Sequence, residues 1–187
     1  MIAAAGHGIS AAALQSLAVA GREVAGATDL DAALAALATA AASGTGATFA
    51  VIRVADPTRA SLRAQGVWAS SAALRAELEG SQVPVDAVGA DELTEQDQLP
   101  EPLARLVDRA GATAVLVCPV TADGLPAATL ELGRSGEPFS GGDTLLARLV
   151  ANHAALLVRA AQSPAGTDGE RRRTSLLDVA GRALAAV

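Results

Sequence analysis

The stretch TAVLVCPVTADGLPAATLEL, residues 113–132, is typical of a β-hairpin. Mostly apolar residues fill 113–120 and 127–132, and the Asp123-Gly124 pair between them favours a tight turn. A second hairpin is predicted upstream, where the β-branched and aromatic run 47–54 is separated from the alternating run 61–68 by Asp56-Pro57-Thr58. The chain therefore carries two strand pairs that are far apart in sequence.

Helical periodicity surrounds these hairpins. Helices are predicted at 9–25, from 30 to about 44 after an N-cap at Asp29, from Ser70 or Ser71 to Leu78, at 100–111, and from Ser140 to about 161. The segment 80–99 is polar and weakly patterned, with at most one short strand near 82–85. Together these elements predict an α+β fold, a central antiparallel sheet of about five to six strands with the N- and C-terminal helices packed on one face.

Several short motifs carry a family resemblance. They are Leu116-Val117-Cys118-Pro119-Val120, Asp123-Gly124, Ala128-Thr129-Leu130-Glu131-Leu132, Phe139, Asp143, Leu145-Leu146 and Asn152-His153-Ala154-Ala155, with Gly46-Ala47 leading into 49–54. On these residues the segment 28–162 resembles a GAF domain, with a GAF/PAS-like sheet. Most of the motifs are hairpin and packing features, so the resemblance bears on the fold more than on a ligand.

The resemblance implies a non-catalytic regulatory or sensory module of a bacterial signal-transduction protein, such as a sensor histidine kinase in a two-component system. Such a module would bind a small molecule or dimerise, and would pass its signal through the terminal helices. Two alternatives stay open: a ligand-free structural dimerisation domain, and the ligand-sensing domain of a transcription regulator.

Cofactor identity does not follow from the sequence. Cyclic-nucleotide-binding relatives use a lysine-containing motif, and this chain has no lysine. Its single cysteine, Cys118, lies in a predicted apolar strand and is expected to be a small buried hydrophobe rather than a bilin attachment site. His153 lies on the last helix and His7 lies outside the matched region, which disfavours haem, and one cysteine does not suit a methionine-sulfoxide reductase.

Catalytic and metal motifs are equally weak. The sequence has no Gly-x-Ser-x-Gly elbow and no Cys/His cluster with metal-ligand spacing, so we expect neither an enzyme nor a metal site. The acidic residues between the hairpins are predicted to form a solvated loop, with a cation site as the alternative; they are Asp91, Glu92, Glu95, Asp97 and Glu101.

Charge and composition limit the partners and the compartment. A formal net charge of −6 with only 2% aromatic residues argues against a nucleic-acid surface. The uncharged N-terminal stretch lacks a basic start and is too weakly apolar to be a convincing signal peptide or membrane span. We therefore expect a cytoplasmic protein with no nucleic-acid or membrane partner.

An internal similarity suggests the domain organisation. The segment that begins at Leu17, LAVAGREVA, resembles LDVAGRALA, which begins 160 residues later at Leu177. A repeat at this spacing matches one domain plus a connecting helix. It predicts a fragment of a tandem protein: a connecting helix at 1–27, the GAF-like domain at 28–162, and at 163–187 a linker with the start of a following helix or domain.

A small-molecule pocket is predicted on the sheet face opposite the terminal helices. Its expected lining is Trp68, Arg75, Gln82, Val83, Leu99, Leu103, Val107, Cys118 and Leu130. The only tryptophan, Trp68, would wall this pocket and Arg75 would pair with an acidic ligand; alternatively, Trp68 fills the core of an aromatic-poor domain.

A homodimer is predicted through the terminal helices. The last helix presents a seam at 3-4-3 spacing, formed by Leu146, Leu149, His153 and Leu156. Within that seam, His153 would serve packing or register, with a proton-sensing role as the alternative.

Overall fold

The computed structural model describes residues 8–56, 58, 60–88, 99–122 and 125–162. Within them the elements are α1 (Ala11–Gly26), α2 (Leu30–Thr45), β1 (Phe49–Ala55), β2 (Ser61–Ala69), α3 (Ala72–Leu78), β3 (Gln82–Pro84), a 3-10 turn (Val85–Ala87), α4 (Glu101–Arg109), β4 (Ala114–Ala122), β5 (Leu125–Arg134) and α5 (Gly141–Gln162). The predicted order of helices and hairpins is confirmed.

The five described strands form one antiparallel sheet in the order β3-β2-β1-β5-β4. β1 lies at the centre, where Phe49 pairs with Ala69 of β2 on one side and with Gly133 of β5 on the other. The two predicted hairpins are thus joined through their inner strands, and the predicted α+β class is confirmed.

A bulge interrupts the pairing of β1 with β2. Positions 52 and 53 of β1 pair with Gly66 and Ala64, which leaves Gln65 without a register partner. One extra residue reverses the alternation of side chains between the two faces of a strand. As a result, Trp68 packs on one side of the sheet, whereas Leu62 packs on the other.

Helices α2 and α5 cover one face of the sheet and α1 packs on α2, so the terminal helices lie on one side, as predicted. The strands contribute every second residue to this core, and the helices contribute leucine, valine and many alanines. Its largest members include Leu17, Leu34, Leu37, Ile52, Leu116, Leu130, Leu132, Leu146 and Leu157. We call this side the helix face.

Local sequence signals fix the ends of these helices. Asp29 caps α2 by accepting a hydrogen bond of 2.8 Å from the Ala32 amide, and α2 ends at Gly46, whose φ of 67° favours glycine. At the start of α5, Ser140 and Asp143 exchange side-chain-to-amide hydrogen bonds of 2.8 and 3.2 Å. This reciprocal pair is a capping box.

Glycines allow the helices to approach the sheet and one another closely. A Cβ at Gly66 would lie 2.5 Å from the Leu34 carbonyl oxygen, and one at Gly44 would lie 2.5 Å from Leu146 Cδ2. Small residues at these contacts bring α2 against β2 and α5, which suits a core with few aromatic side chains.

Within the described part of the chain, one helical segment, Gly141–Ala161, is long and apolar enough to cross a membrane by length and composition, with a mean hydropathy of 1.2. In this structure its apolar side packs on the helix face, where Leu146, Val150 and Leu157 are buried. Burial in a core explains the same composition.

The opposite face of the sheet is covered by α3 and α4. Its buried residues form a second cluster, which includes Phe49, Val51, Leu62, Leu78, Val83, Leu99, Leu103, Val107, Val115 and Val117. We call the space between this face and α4 the cleft.

Some predictions fall outside the described residues. They concern the repeat that begins at Leu177, the linker within 163–187, the acidic residues at 91–97 and the turn residues 123 and 124. The domain bounds stay predictions. The connecting helix predicted before residue 28 corresponds to α1, which packs into the helix-face core with Leu17 and Val24 fully buried.

Candidate functional site

A charged side chain, Arg53, lies at the centre of the sheet. Its neighbours Ile52 and Val54 belong to the helix-face core, so alternation along β1 places Arg53 on the cleft side. The side chain is fully buried, with 0% exposure. A buried arginine requires charge and hydrogen-bond partners, and neighbouring strands supply them.

The main partner of Arg53 is Glu131 on the adjacent strand β5. Arg53 Nε lies 2.8 Å from Glu131 Oε1 and 3.0 Å from Oε2, and the carboxylate side chain is only 5% exposed. Thr129 Oγ1 donates a further hydrogen bond of 3.1 Å to Oε1. Register explains the cluster: Arg53 pairs with Thr129, and Glu131 lies two residues further on the same face.

The far end of the guanidinium reaches Ser81, just before β3. Arg53 Nη1 donates to the Ser81 carbonyl at 2.9 Å and to Ser81 Oγ at 2.8 Å. Ser81 Oγ in turn donates to the Leu78 carbonyl at 2.6 Å. Arg53 therefore links the middle of the sheet to the end of α3.

One nitrogen of this network is left over. Arg53 Nη2 is buried and has no hydrogen-bond partner among the residues that the structure describes. A buried unsatisfied donor costs about 1–3 kcal/mol, and more when it is charged. Native proteins place few such groups, and each requires an explanation, of which a functional contact is one.

The cleft beside this network is apolar and nearly filled. Glu131 contributes to the lining of a cavity of about 10 Å³, whose other walls include Phe49, Leu103, Val107 and Val117. That volume holds about one water molecule. The site thus combines an ion pair of zero net charge with a lining of aliphatic and aromatic side chains.

Only part of the predicted pocket meets at this cleft. Leu99, Leu103 and Val107 line the cavity, and Val83 belongs to the same buried cluster. Cys118 and Leu130 belong to the helix-face core instead, because alternation in β4 and β5 directs Val117 and Glu131 to the cleft. Their predicted place on the face opposite the terminal helices is wrong.

The remaining predicted pocket residues are also elsewhere. Trp68 is half-buried against the helix-face core, since the bulge at Gln65 reverses its direction, so its predicted position in the pocket is wrong. Gln82 is exposed, and Arg75 lies on the surface with its Nε 3.7 Å from Glu79 Oε1. Arg75 lines an open groove of about 520 Å³, separate from the cavity beside Glu131.

The four predicted seam residues differ in their accessibility. Leu146 is fully buried in its own domain core and is not available to a second copy, which corrects its assignment to the seam. Leu149 and His153 are half-buried, and His153 Nδ1 lies 2.8 Å from the Leu149 carbonyl oxygen. Leu156 is 52% exposed, and Leu145, on the same helix, is 46% exposed.

Two other polar clusters have structural roles. Arg134 donates to the carbonyls of Thr45 and Pro138 and lies 4.4 Å from the Phe139 ring centroid, so it connects the end of α2 to the start of α5.

Asp56 closes the β1–β2 turn by accepting hydrogen bonds from Thr58 and Ser61. The Ser61 hydroxyl, followed by that of Thr58, lowers the pKa of the Asp56 carboxyl below its ordinary value of 3.8.

Metal ligands do not cluster in the described ranges: no group of three or more His, Cys, Asp or Glu side chains there could hold an ion. Glu101, the one member of the predicted acidic loop that is described, starts α4 and pairs with Arg105. Both of these side chains are largely exposed, as in a solvated surface pair.

The Arg53–Glu131 pair was missed by the sequence interpretation. Its signal was available: one charged residue inside each of two otherwise apolar predicted strands, of opposite sign. Such a residue in a buried strand indicates a partner on the same face. The pairing itself required the β1–β5 adjacency, which neither hairpin reveals.

Solved structures with the same fold include GAF domains. A GAF domain/HD domain protein from Geobacter sulfurreducens aligns over 74% of this chain and 97% of that chain, with 19% identity and a TM-score of 0.59. The GAF domain of a phosphoenolpyruvate-protein phosphotransferase from Coxiella burnetii aligns over 80% and 95%, with 14% identity and a TM-score of 0.62. A methyl-accepting chemotaxis protein aligns over 78% and 99%, with 16% identity and a TM-score of 0.57.

Sequence comparisons add no relative: no protein-family model matches the chain, and neither does any curated protein sequence. The structural matches nevertheless establish the fold, and the chain has a GAF-domain fold. The predicted resemblance is confirmed at that level.

Proposed function

We propose that this chain is a non-catalytic sensory domain of a bacterial signal-transduction protein, working in the cytoplasm. The fold supports this class, because the similar structures come from a chemotaxis protein, a phosphotransferase and an HD-domain protein. The observation that carries a sensory role in this chain is the buried Arg53 side chain, whose Nη2 has no partner among the described residues.

The architecture offers a short route from the cleft to the terminal helices. Arg53 and Glu131 lie on the cleft side, while their strand neighbours Ile52 and Leu130 belong to the core under α2 and α5 on the helix face. A ligand that binds better to one arrangement of β1 and β5 would favour one arrangement of these helices. Only a difference in affinity between the two arrangements drives such a shift.

A metabolite screen read by two signals tests this proposal. A ligand at one hundred times its dissociation constant should stabilise the fold by about 2.7 kcal/mol, which raises the unfolding midpoint by about 5–10 °C for a chain of this size. Trp68 is the only tryptophan and packs against the helix-face core. Its emission should therefore report a rearrangement at the helix face that follows ligand binding, and a Trp68→Phe variant should keep the thermal shift but lose this signal.

A second candidate, a ligand-free dimerisation domain, is favoured by the size of the cavity, which is about 10 Å³. In that case Arg53 and Glu131 would serve packing specificity alone. A broad metabolite screen that moves neither the midpoint nor the Trp68 emission, together with a stable dimer in light scattering, would favour this candidate over the sensory one.

A further inference from the structure

A second site lies outside the cleft, in the open groove of about 520 Å³ that residues of α2, β2 and α3 line. We propose that this groove binds a free α-amino acid with a small uncharged side chain, with the carboxylate at Arg63 and Arg75 and the ammonium at Asp31. The volume is within the range of about 300–1,000 Å³ that small-molecule sites have. The groove is separate from the cleft, so the proposed sensory role of the cleft is not needed for it.

The side of the groove next to α3 is positively charged. Register pairs Arg63 of β2 with Gln82 of β3, which brings the arginine close to the turn at Gly80. A Cβ at Gly80 would lie 3.9 Å from Arg63 Nη2, so the guanidinium reaches the end of α3. Arg75 lines the same groove, with its Nε 3.7 Å from Glu79 Oε1. Two guanidinium groups and one carboxylate leave a net positive charge on this side.

The wall formed by the start of α2 carries the complementary charge. Asp31 lines the groove there and is exposed. In the described part of the chain, neither Asp31 nor Arg63 forms an ion pair, with each other or with a third residue. The groove thus presents opposite charges on two of its walls. Because complementary charges give specificity, this arrangement favours a zwitterion over a molecule with a single charge.

A polar side chain, that of Gln65, lies between the two charged walls. β2 packs against both α2 and α3, and Gln65 is its bulged residue and lines the groove. Gln65 Oε1 is buried and has no hydrogen-bond partner among the described residues. The last torsion of a glutamine side chain is broad rather than staggered, so Oε1 can turn toward the groove. There it would accept a hydrogen bond from the ligand ammonium.

The rest of the lining sets the character of the ligand side chain. It includes Ala32 and Ala35 of α2 and Ala64 and Val67 of β2. These small apolar side chains offer no partner to a further charge. A small uncharged side chain such as that of alanine therefore fits this part of the groove.

Three molecules of similar size test the ligand class. L-Alanine carries both charges, propanoate lacks the ammonium, and alaninamide has an uncharged amide in place of the carboxylate. Each is titrated into the full chain, and dissociation constants are taken from backbone amide chemical shifts. We expect alanine to shift amides within 31–35, 63–67 and 75–80. Propanoate and alaninamide should each bind at least about fivefold more weakly than alanine.

Variants test the location of the site. Arg63→Met and Asp31→Asn should each weaken alanine binding by at least about fivefold. Two controls should keep the wild-type affinity. Arg105→Met removes an exposed arginine of α4, outside the groove, and Arg53→Met/Glu131→Met alters the cleft.

Each part of the proposal has a result that overturns it. Unchanged alanine affinity in Arg63→Met, or loss of alanine binding in the cleft double variant, would overturn the assignment to the groove. Propanoate or alaninamide binding as tightly as alanine to the wild type would overturn the zwitterion class. The absence of any saturable shift with alanine would overturn the proposal as a whole and leave the sensory role of the cleft standing.

Discussion

Arg53 on β1 and Glu131 on β5 form a buried ion pair across neighbouring strands, with Nε 2.8 Å from Oε1 and 3.0 Å from Oε2. Both side chains lie on the cleft side of a sheet whose other residues on that face are mostly apolar. Both side chains are almost fully buried, so each charge depends on the other. The consequences for stability differ between losing one charge and losing both.

Loss of one partner should be severe. Glu131→Ala leaves the Arg53 guanidinium buried without its counter-charge, and we expect it to lower the free energy of unfolding by about 3–5 kcal/mol. Thr129→Val removes only the hydrogen bond to Glu131 Oε1 and should cost about 1 kcal/mol. Urea denaturation of both variants measures the difference. Similar small losses in the two variants would contradict a buried, mutually dependent pair.

Gly66 should tolerate no side chain. An alanine Cβ there would lie 2.5 Å from the Leu34 carbonyl oxygen, which is backbone and cannot rotate away, so α2 would have to move. We expect Gly66→Ala to destabilise by about 3 kcal/mol, at the upper end of overpacking costs. Gly26→Ala is the control, since no atom lies within 4 Å of its Cβ position. That change should be neutral or stabilise by about 0.4–1 kcal/mol. Equal unfolding midpoints for the two variants would contradict the close packing of α2 on β2.

Asp56 should make the stability of the β1–β2 turn depend on pH. Hydrogen bonds from Ser61 and Thr58 lower the pKa of its carboxyl in the folded state below 3.8, the value taken for the unfolded chain. The folded state therefore holds the proton more weakly, so the contribution is complete above pH 3.8 and is lost as the pH falls through the folded pKa. Asp56→Asn should lower stability at pH 7, and its difference from wild type should shrink below about pH 4. A difference that stays constant down to pH 2.5 would argue against this carboxylate as its source.

Dimerisation, if it uses α5, should depend on its exposed leucines. Leu156 is 52% exposed and Leu145 is 46% exposed, whereas Leu146 is committed to the domain core. We expect the wild type to be a dimer and Leu156→Glu to be a monomer in light scattering, with the unfolding free energy changed by less than about 1 kcal/mol. Ala73→Glu, on the exposed side of α3, should remain dimeric. A wild type that is monomeric at high concentration would contradict the prediction.

Local signals explain why the elements were predictable from the sequence. Asp29 before α2 and the Ser140–Asp143 pair before α5 act within one helical turn, so the sequence alone displays both partners. The hairpin strands likewise are close along the chain. These local features are enough to predict the α+β class, although they do not show which strands from different hairpins are neighbours.

The site was harder to predict because it depends on register between distant strands. Arg53 and Glu131 are 78 residues apart and meet only because β1 lies beside β5. Trp68 was misplaced for a related reason: the bulge at Gln65 reverses the face of every residue beyond it, and its local signal, Gly66 inside the strand, was not used in the sequence interpretation. A one-residue change of register is enough to exchange core and cleft.

The most direct test of the cleft as a site kept for function compares the unfolding free energies of the wild type and of Arg53→Met/Glu131→Met. Replacing a buried ion pair by apolar side chains of similar volume is often neutral or stabilising. The double variant also removes the unsatisfied Nη2. We expect it to unfold at an equal or higher urea midpoint while losing the response to ligands of the cleft. A double variant that is destabilised by about 3 kcal/mol or more, as much as a single loss, would show that the pair serves the fold and would contradict a site kept for binding.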